Sequence, residues 1–192
     1  ISTPFVLNGE AIDEENDNVT YCFEQHNFSA KRCPLGQPED DCPMFRSFPP
    51  NSNPYRVFPS FSIVWNNQIA SSANEVLPDY NRELDFVLTV RDNNPEVGAF
   101  GMDTVNFNST IKAGPFLVSY PDNGEDQIAD TYVEITWDVA GTDQDPVNCQ
   151  FVDILFYNGA GWDNYEVLKL STANDGTEWV RMPANTSSNN KI

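Results

Sequence analysis

Basic side chains and histidine are scarce: 10 Lys and Arg stand against 29 Asp and Glu, giving a formal net charge of -19, and the one histidine is His26. A surface of that sign repels phosphate backbones and anionic headgroups, so nucleic acid is excluded as a partner, and divalent cations or basic surfaces are favoured. A single histidine rules out the His-Glu-x-x-His zinc site. A serine triad lacks its setting, because no Gly-x-Ser-x-Gly occurs. With 29 acids, some carboxylate pair falls at a glycosidase-like separation by chance, so acidity alone does not argue for that chemistry. No Cys-x-x-Cys is present, which removes the usual structural zinc spacing. No apolar run is long enough to span a membrane, and no window of a dozen residues carries a helical stripe; only 74–80 is compatible with a turn of helix. The chain opens at Ile1 with neither an initiator methionine nor a signal-peptide pattern, and it reads as a processed or excised piece of a longer, secreted protein.

What is present points to β structure. Leu84, Phe86, Leu88 and Val90 alternate with Asp85, Val87, Thr89 and Arg91, and Val19, Tyr21 and Phe23 alternate with Thr20, Cys22 and Glu24. Val133, Ile135 and Trp137, then Val152, Ile154 and Phe156, repeat the pattern. Period-2 patterning rich in β-branched and aromatic residues predicts half-buried antiparallel strands. Gly114-Pro115 breaks the chain, so the expected organisation is all-β with two immunoglobulin-like sandwiches. The first spans 1–114 with a Pro- and Cys-rich insertion at about 26–60, and the second, smaller one spans 115–192. The second shows strand candidates at 116–120, 131–138, 150–157, 164–170 and 177–182, with Lys191 and Ile192 as the start of another. A sandwich of this type commonly has about seven strands. The second module thus reads as lacking its last strand, which would leave an edge open to a strand from a neighbouring molecule.

The four cysteines suggest an oxidising compartment. Cys33 and Cys42 flank a polar, proline-containing loop that burial alone cannot order, and a disulfide between them is expected. Cys22 and Cys149 either form a second bridge or remain thiols. Oxygen-rich side chains are concentrated in the turn Asp13-Glu-Glu-Asn-Asp-Asn18 ahead of a strand, and calcium takes six to eight oxygen ligands. Asp13, Glu15 and Asp17, completed by Asp92 and Asp103 from the same end of a sandwich, form the candidate calcium site; Asp122, Asp126, Asp138, Asp143 and Asp145 form a weaker second set. The turn is not an EF-hand loop, because its sixth-position glycine and twelfth-position glutamate are missing. Tyr21, Trp65, Trp137, Trp162 and Trp179 could compose a sugar-stacking platform, although alternation assigns Tyr21 and Trp137 to the core. Asn18, Asn27, Asn108 and Asn185 stand in Asn-x-Ser/Thr sequons, candidate glycosylation sites on exposed loops.

Ser2 to Ala11, the acidic turn, and Val19-Thr-Tyr-Cys-Phe-Glu-Gln25 resemble the segment that follows the catalytic domain of secreted bacterial reprolysin-like zinc metallopeptidases. The resemblance continues through Phe45-Arg-Ser47, Arg56-x-Phe58-Pro59, Leu77-Pro78, Arg82, Thr89 to Asn93, Gly114-Pro-Phe116, Thr136 to Thr142, Pro146 to Cys149 and Asn174-Asp-Gly176. It implies two non-catalytic modules, similar to cadherin or polycystic-kidney-disease (PKD) domains, in an extracellular multidomain protein whose peptidase domain lies outside this chain. Asp13-Glu-Glu-Asn-Asp17 stands where that family has Asp-x-Asp-Gly-Asp, and Tyr157-Asn-Gly-Ala-Gly161 where it has an Asp-Gly-Gly turn. The expected function is thus a non-catalytic accessory or adhesive region, stabilised by calcium. Two rivals are a filament subunit assembled by strand exchange between copies of the chain, and a module binding an extracellular protein or polysaccharide.

Overall fold

A computed structural model describes residues 1–34, 36, 39, 41–68, 74–122, 124–159, 161–184 and 190–192. It is all-β and built of antiparallel sheets, and it divides into two compact units. One unit is Pro4–Thr110; the other joins Ile111–Ile192 to Ile1–Thr3. The boundary therefore falls a few residues before the expected Gly114-Pro115 break, and the first three residues belong with the later unit. The reason is local. The amino group of Ile1 donates to the Ala113 carbonyl at 2.6 Å, and the Phe116 N–H donates to Thr3 Oγ1 at 3.0 Å. Gly114, at φ +92°, lies so close to the Ile1 carbonyl that a Cβ would overlap it.

In the Pro4–Thr110 unit, β1 (Phe5–Asn8) pairs with β3 (Tyr55–Phe58), and β4 (Arg82–Arg91) lies between β2 (Thr20–Gln25) and β5 (Phe100–Ser109). The two sheets meet through aromatic rings. Phe5 stacks on its cross-strand partner Phe58 at 5.0 Å, and both meet Phe86 of the other sheet, at 5.8 and 4.8 Å. Phe58, Phe86 and Leu84 are almost wholly buried, each stabilising the unit by about 2–3 kcal/mol. The supposed insertion is part of this core, since it supplies β3 together with buried Met44 and Phe45. Residues 74–80 form no helix. Phe45 bridges Glu75, and the Val76 N–H donates to the Met44 carbonyl at 3.0 Å, so the segment is extended. The helical turn among the described residues is α1 (Phe61–Trp65).

Three charged side chains fasten the irregular segments. Arg56 lies between the rings of Phe48 and Phe58, at 4.5 and 4.4 Å, and donates to the carbonyls of Phe23 (2.5 Å) and Arg46 (2.6 Å) and to Glu75 Oε1 (2.9 Å). Glu75, 1 % exposed, accepts the Ser60 N–H through Oε2 at 2.9 Å. Burial lowers the Arg56 pKa, and the Glu75 carboxylate opposes that shift. Arg82, also buried, donates to the Cys42 carbonyl at 2.8 Å. Cys42 is bridged to Cys33 as expected, with Cα atoms 5.5 Å apart.

In the other unit, β7 (Tyr132–Asp138) lies between β6 (Leu117–Tyr120) and β10 (Thr177–Arg181), and β8 (Phe151–Asn158) lies between β9 (Tyr165–Ala173) and β11 (Asn190–Lys191). Val133, Ile135 and Trp137 pack with Ile154, Phe156 and Val180 between the sheets. Buried Asn174 ties the loops to this core. Its Oδ1 accepts the Trp137 indole N–H at 2.9 Å, and its Nδ2 donates to Thr142 Oγ1 and the Cys149 carbonyl, each at 2.9 Å. Phrases far apart in the chain, Thr136 to Thr142, Pro146 to Cys149 and Asn174-Asp-Gly176, thus meet at one amide.

The second disulfide does not form: Cys22 and Cys149 are both free thiols. Each donates within its own unit, Cys22 to the Phe48 carbonyl at 3.5 Å and Cys149 to the Phe151 carbonyl at 3.3 Å.

Candidate metal centre

Strand register brings the acidic turns together. Thr20 opposes Arg91 across β2 and β4, so the turn leading into β2 and the turn leaving β4 lie side by side. The first turn is shaped by its own side chains: the Asn16 N–H donates to the Asp13 carbonyl, Asn16 takes a left-handed φ of +60°, and Asp13 Oδ1 accepts the Asp17 N–H at 2.7 Å. The second turn is organised by Asp92, which accepts the Asn94 N–H through Oδ1 (3.2 Å) and the Ala99 N–H through Oδ2 (2.7 Å). Two amides lock the turns to each other. Asn93 Nδ2 donates to the Asn18 carbonyl and Asn94 Nδ2 to Asp17 Oδ2, both at 2.7 Å.

One oxygen from each of Asp13, Asp17 and Asp92 then lies within 4.8 Å of the other two, and all three side chains are half-buried. Calcium–oxygen bonds of about 2.3–2.6 Å place ligand oxygens up to about 5 Å apart, so the three can share one hard cation. Among the described residues, none of the three forms an ion pair with a basic side chain. At 4.8 Å, each carboxylate pair repels by about 1 kcal/mol in water and by about 3 kcal/mol at an effective dielectric of 20. A divalent cation would turn that repulsion into attraction.

Of the five expected ligands, Glu15 and Asp103 stand apart. Glu15 is exposed at the apex of its turn. Asp103 pairs with Leu88, three positions along β5 from the Arg91–Phe100 pair that ends the ladder, a displacement of about 10 Å. Among the described residues, Asp122, Asp126, Asp138, Asp143 and Asp145 form no such cluster. Asn94, which ties the two turns through Asp17, carries no pattern in the sequence that marks it for this role.

The sequons differ in accessibility. Asn18 and Asn108 are exposed, whereas Asn27 is engaged: its Nδ2 donates to Asp85 Oδ2 (3.0 Å) and the Glu83 carbonyl (3.2 Å), and its Oδ1 accepts from Gln25 Nε2 (2.6 Å). Asn185 lies outside the described residues. Tyr21 and Trp137 are buried, Trp65 and Trp162 are half-buried, and Trp179 is exposed.

No family model, curated protein or solved structure matches this chain. Its chemistry has to be read from the residues themselves.

Proposed function

We propose that the chain is a non-catalytic accessory or adhesive region of a secreted multidomain protein, built of two immunoglobulin-like modules of the cadherin or PKD type, the first stabilised by calcium. The convergence of Asp13, Asp17 and Asp92 from two turns carries the reading, because it gathers three carboxylates with no basic partner among the described residues. The disulfide, the net charge of -19 and the resemblance to regions following a secreted metallopeptidase domain support it. The test is retention on immobilised extracellular protein or polysaccharide, with calcium and then with chelator. Saturable, calcium-dependent retention without breakdown of the ligand is expected; hydrolysis of the ligand, or retention indifferent to calcium, would count against the reading.

A polysaccharide ligand has one observation of its own. Tyr132 and Trp179, 68 % and 57 % exposed, are diagonal neighbours on the outer face of the β10-β7-β6 sheet. A sugar-binding module would lose retention on Trp179→Ala, whereas the calcium-stabilised reading places no demand on that ring.

A further inference from the structure

Strand β5 ends its sheet and pairs only with β4 among the described residues, so its outer edge is open to a further strand, with the Thr104 N–H held by Asp103 Oδ1 at 2.8 Å. Between this edge and the segment from Leu7 to Asp13 runs an open groove of about 650 Å³. Its floor is apolar, made by Phe86, Leu88 and Val90 of β4 with Val105 of β5, and its lining includes Glu10, Asp13, Asp92 and Asp103 but no basic residue.

Register says what each position on the edge accepts. Gly101, Asp103 and Val105 oppose Val90, Leu88 and Phe86, so they face the groove. A Cβ at Gly101 would meet nothing within 4 Å, which leaves open space over Val90. Val105 is 44 % exposed. Asp103, exposed, forms no ion pair among the described residues, and its Oδ1 accepts only the neighbouring Thr104 N–H at 2.8 Å in the described network.

We propose that this edge receives an extended segment of a partner protein, added as a further strand, whose groove-facing side chains read apolar, basic, apolar. The apolar residues lie beside Gly101 and Val105, and the Lys or Arg lies beside Asp103. Main-chain hydrogen bonds to β5 hold the segment, its Lys or Arg drawing Asp103 Oδ1 off the Thr104 N–H, and the alternate side chains select it. A second copy of this chain is the wrong occupant, because the groove is acidic and each copy carries a net charge of -19. The inference goes beyond the calcium reading and does not need it.

The test uses the whole chain and three synthetic heptapeptides with capped ends. The matched peptide is Thr-Val-Thr-Lys-Thr-Val-Thr; the second has Glu in place of Lys, and the third moves the Lys to an adjacent, outward position. Backbone amide spectra, recorded with calcium and with chelator, follow residues 100–105. Saturable perturbation of β5 by the matched peptide is expected in both conditions, with affinity about fivefold or more above that of the Glu peptide. In the Asp103→Lys variant the order of the Lys and Glu peptides reverses; Asp103 is exposed, so the variant folds. Absence of β5 perturbation at millimolar peptide, equal binding of all three, or an unchanged order in Asp103→Lys overturns the proposal. So does a dimer in sedimentation that the matched peptide dissociates. Loss of the calcium dependence of stability with peptide binding intact would overturn the metal reading alone.

Discussion

Replacing Glu75 by Ala leaves the Arg56 guanidinium between Phe48 and Phe58 without its carboxylate. The pair is well buried, with side-chain exposures of 10 % for Arg56 and 2 % for Glu75. Removing one partner of such a pair costs about 3–5 kcal/mol, because an uncompensated charge stays behind. The Ser60 N–H loses its acceptor as well. The lower end is the better figure here, since Arg56 keeps the Phe23 and Arg46 carbonyls. At about 4 °C or more per kcal/mol for a unit near 100 residues, the Pro4–Thr110 transition should fall by at least about 12 °C. Calorimetry of the whole chain reads this directly: one transition moves and the transition of the unit containing Trp137 stays in place. A double variant, Arg56→Met with Glu75→Leu, should recover most of the loss, because an apolar pair of similar volume removes the buried charge. A shift of less than about 2 °C in Glu75→Ala would refute the argument.

Asn174→Ala should lower the midpoint of the other unit by about 2 kcal/mol equivalent, because it orphans the buried Trp137 indole N–H and takes a donor from the Cys149 carbonyl; tryptophan fluorescence during unfolding reports it. Opening the Cys33–Cys42 bridge, by Ser at both positions, should cost the Pro4–Thr110 unit about 2.5 kcal/mol in denaturant titration, as expected for closing a loop with a sequence separation of 9. Burial, with a smaller contribution from Glu24, raises the Cys22 pKa, so less thiolate is present near pH 8 than for an ordinary cysteine. Alkylation at Cys22, followed by peptide mass mapping, should therefore be slower than for a free cysteine peptide, and the ratio should narrow as pH rises.

Alternation made most strands legible, since burial on one face writes a period of two into Val133-x-Ile135-x-Trp137 and Leu84-x-Phe86. The Cys33–Cys42 bridge was legible too, from a short loop that had no other means of order. The contents of the 26–60 stretch were not. β3 is only four residues long and is recognised by its partner β1, some fifty positions away, rather than by its own pattern. Arg56 with Glu75, and Asn174 with Thr142, depend on contacts between distant segments, which periodicity does not record. The acidic turn announced its oxygens, but which carboxylates meet depends on strand register: Thr20 opposite Arg91 brings in Asp92, and Leu88 opposite Asp103 removes Asp103. The groove was invisible in the sequence, because it follows from where β5 stops being covered.

Calorimetric titration of the chelator-treated chain with calcium decides whether Asp13, Asp17 and Asp92 hold a cation. One site in the Pro4–Thr110 unit is expected, with a midpoint that rises with calcium by about 2.7 kcal/mol equivalent at a hundredfold excess over Kd. Binding should be lost in Asp17→Asn and Asp92→Asn and kept in Glu15→Gln and Asp103→Asn. No heat and no shift at millimolar calcium, or binding that survives both Asp17→Asn and Asp92→Asn, would contradict the calcium reading.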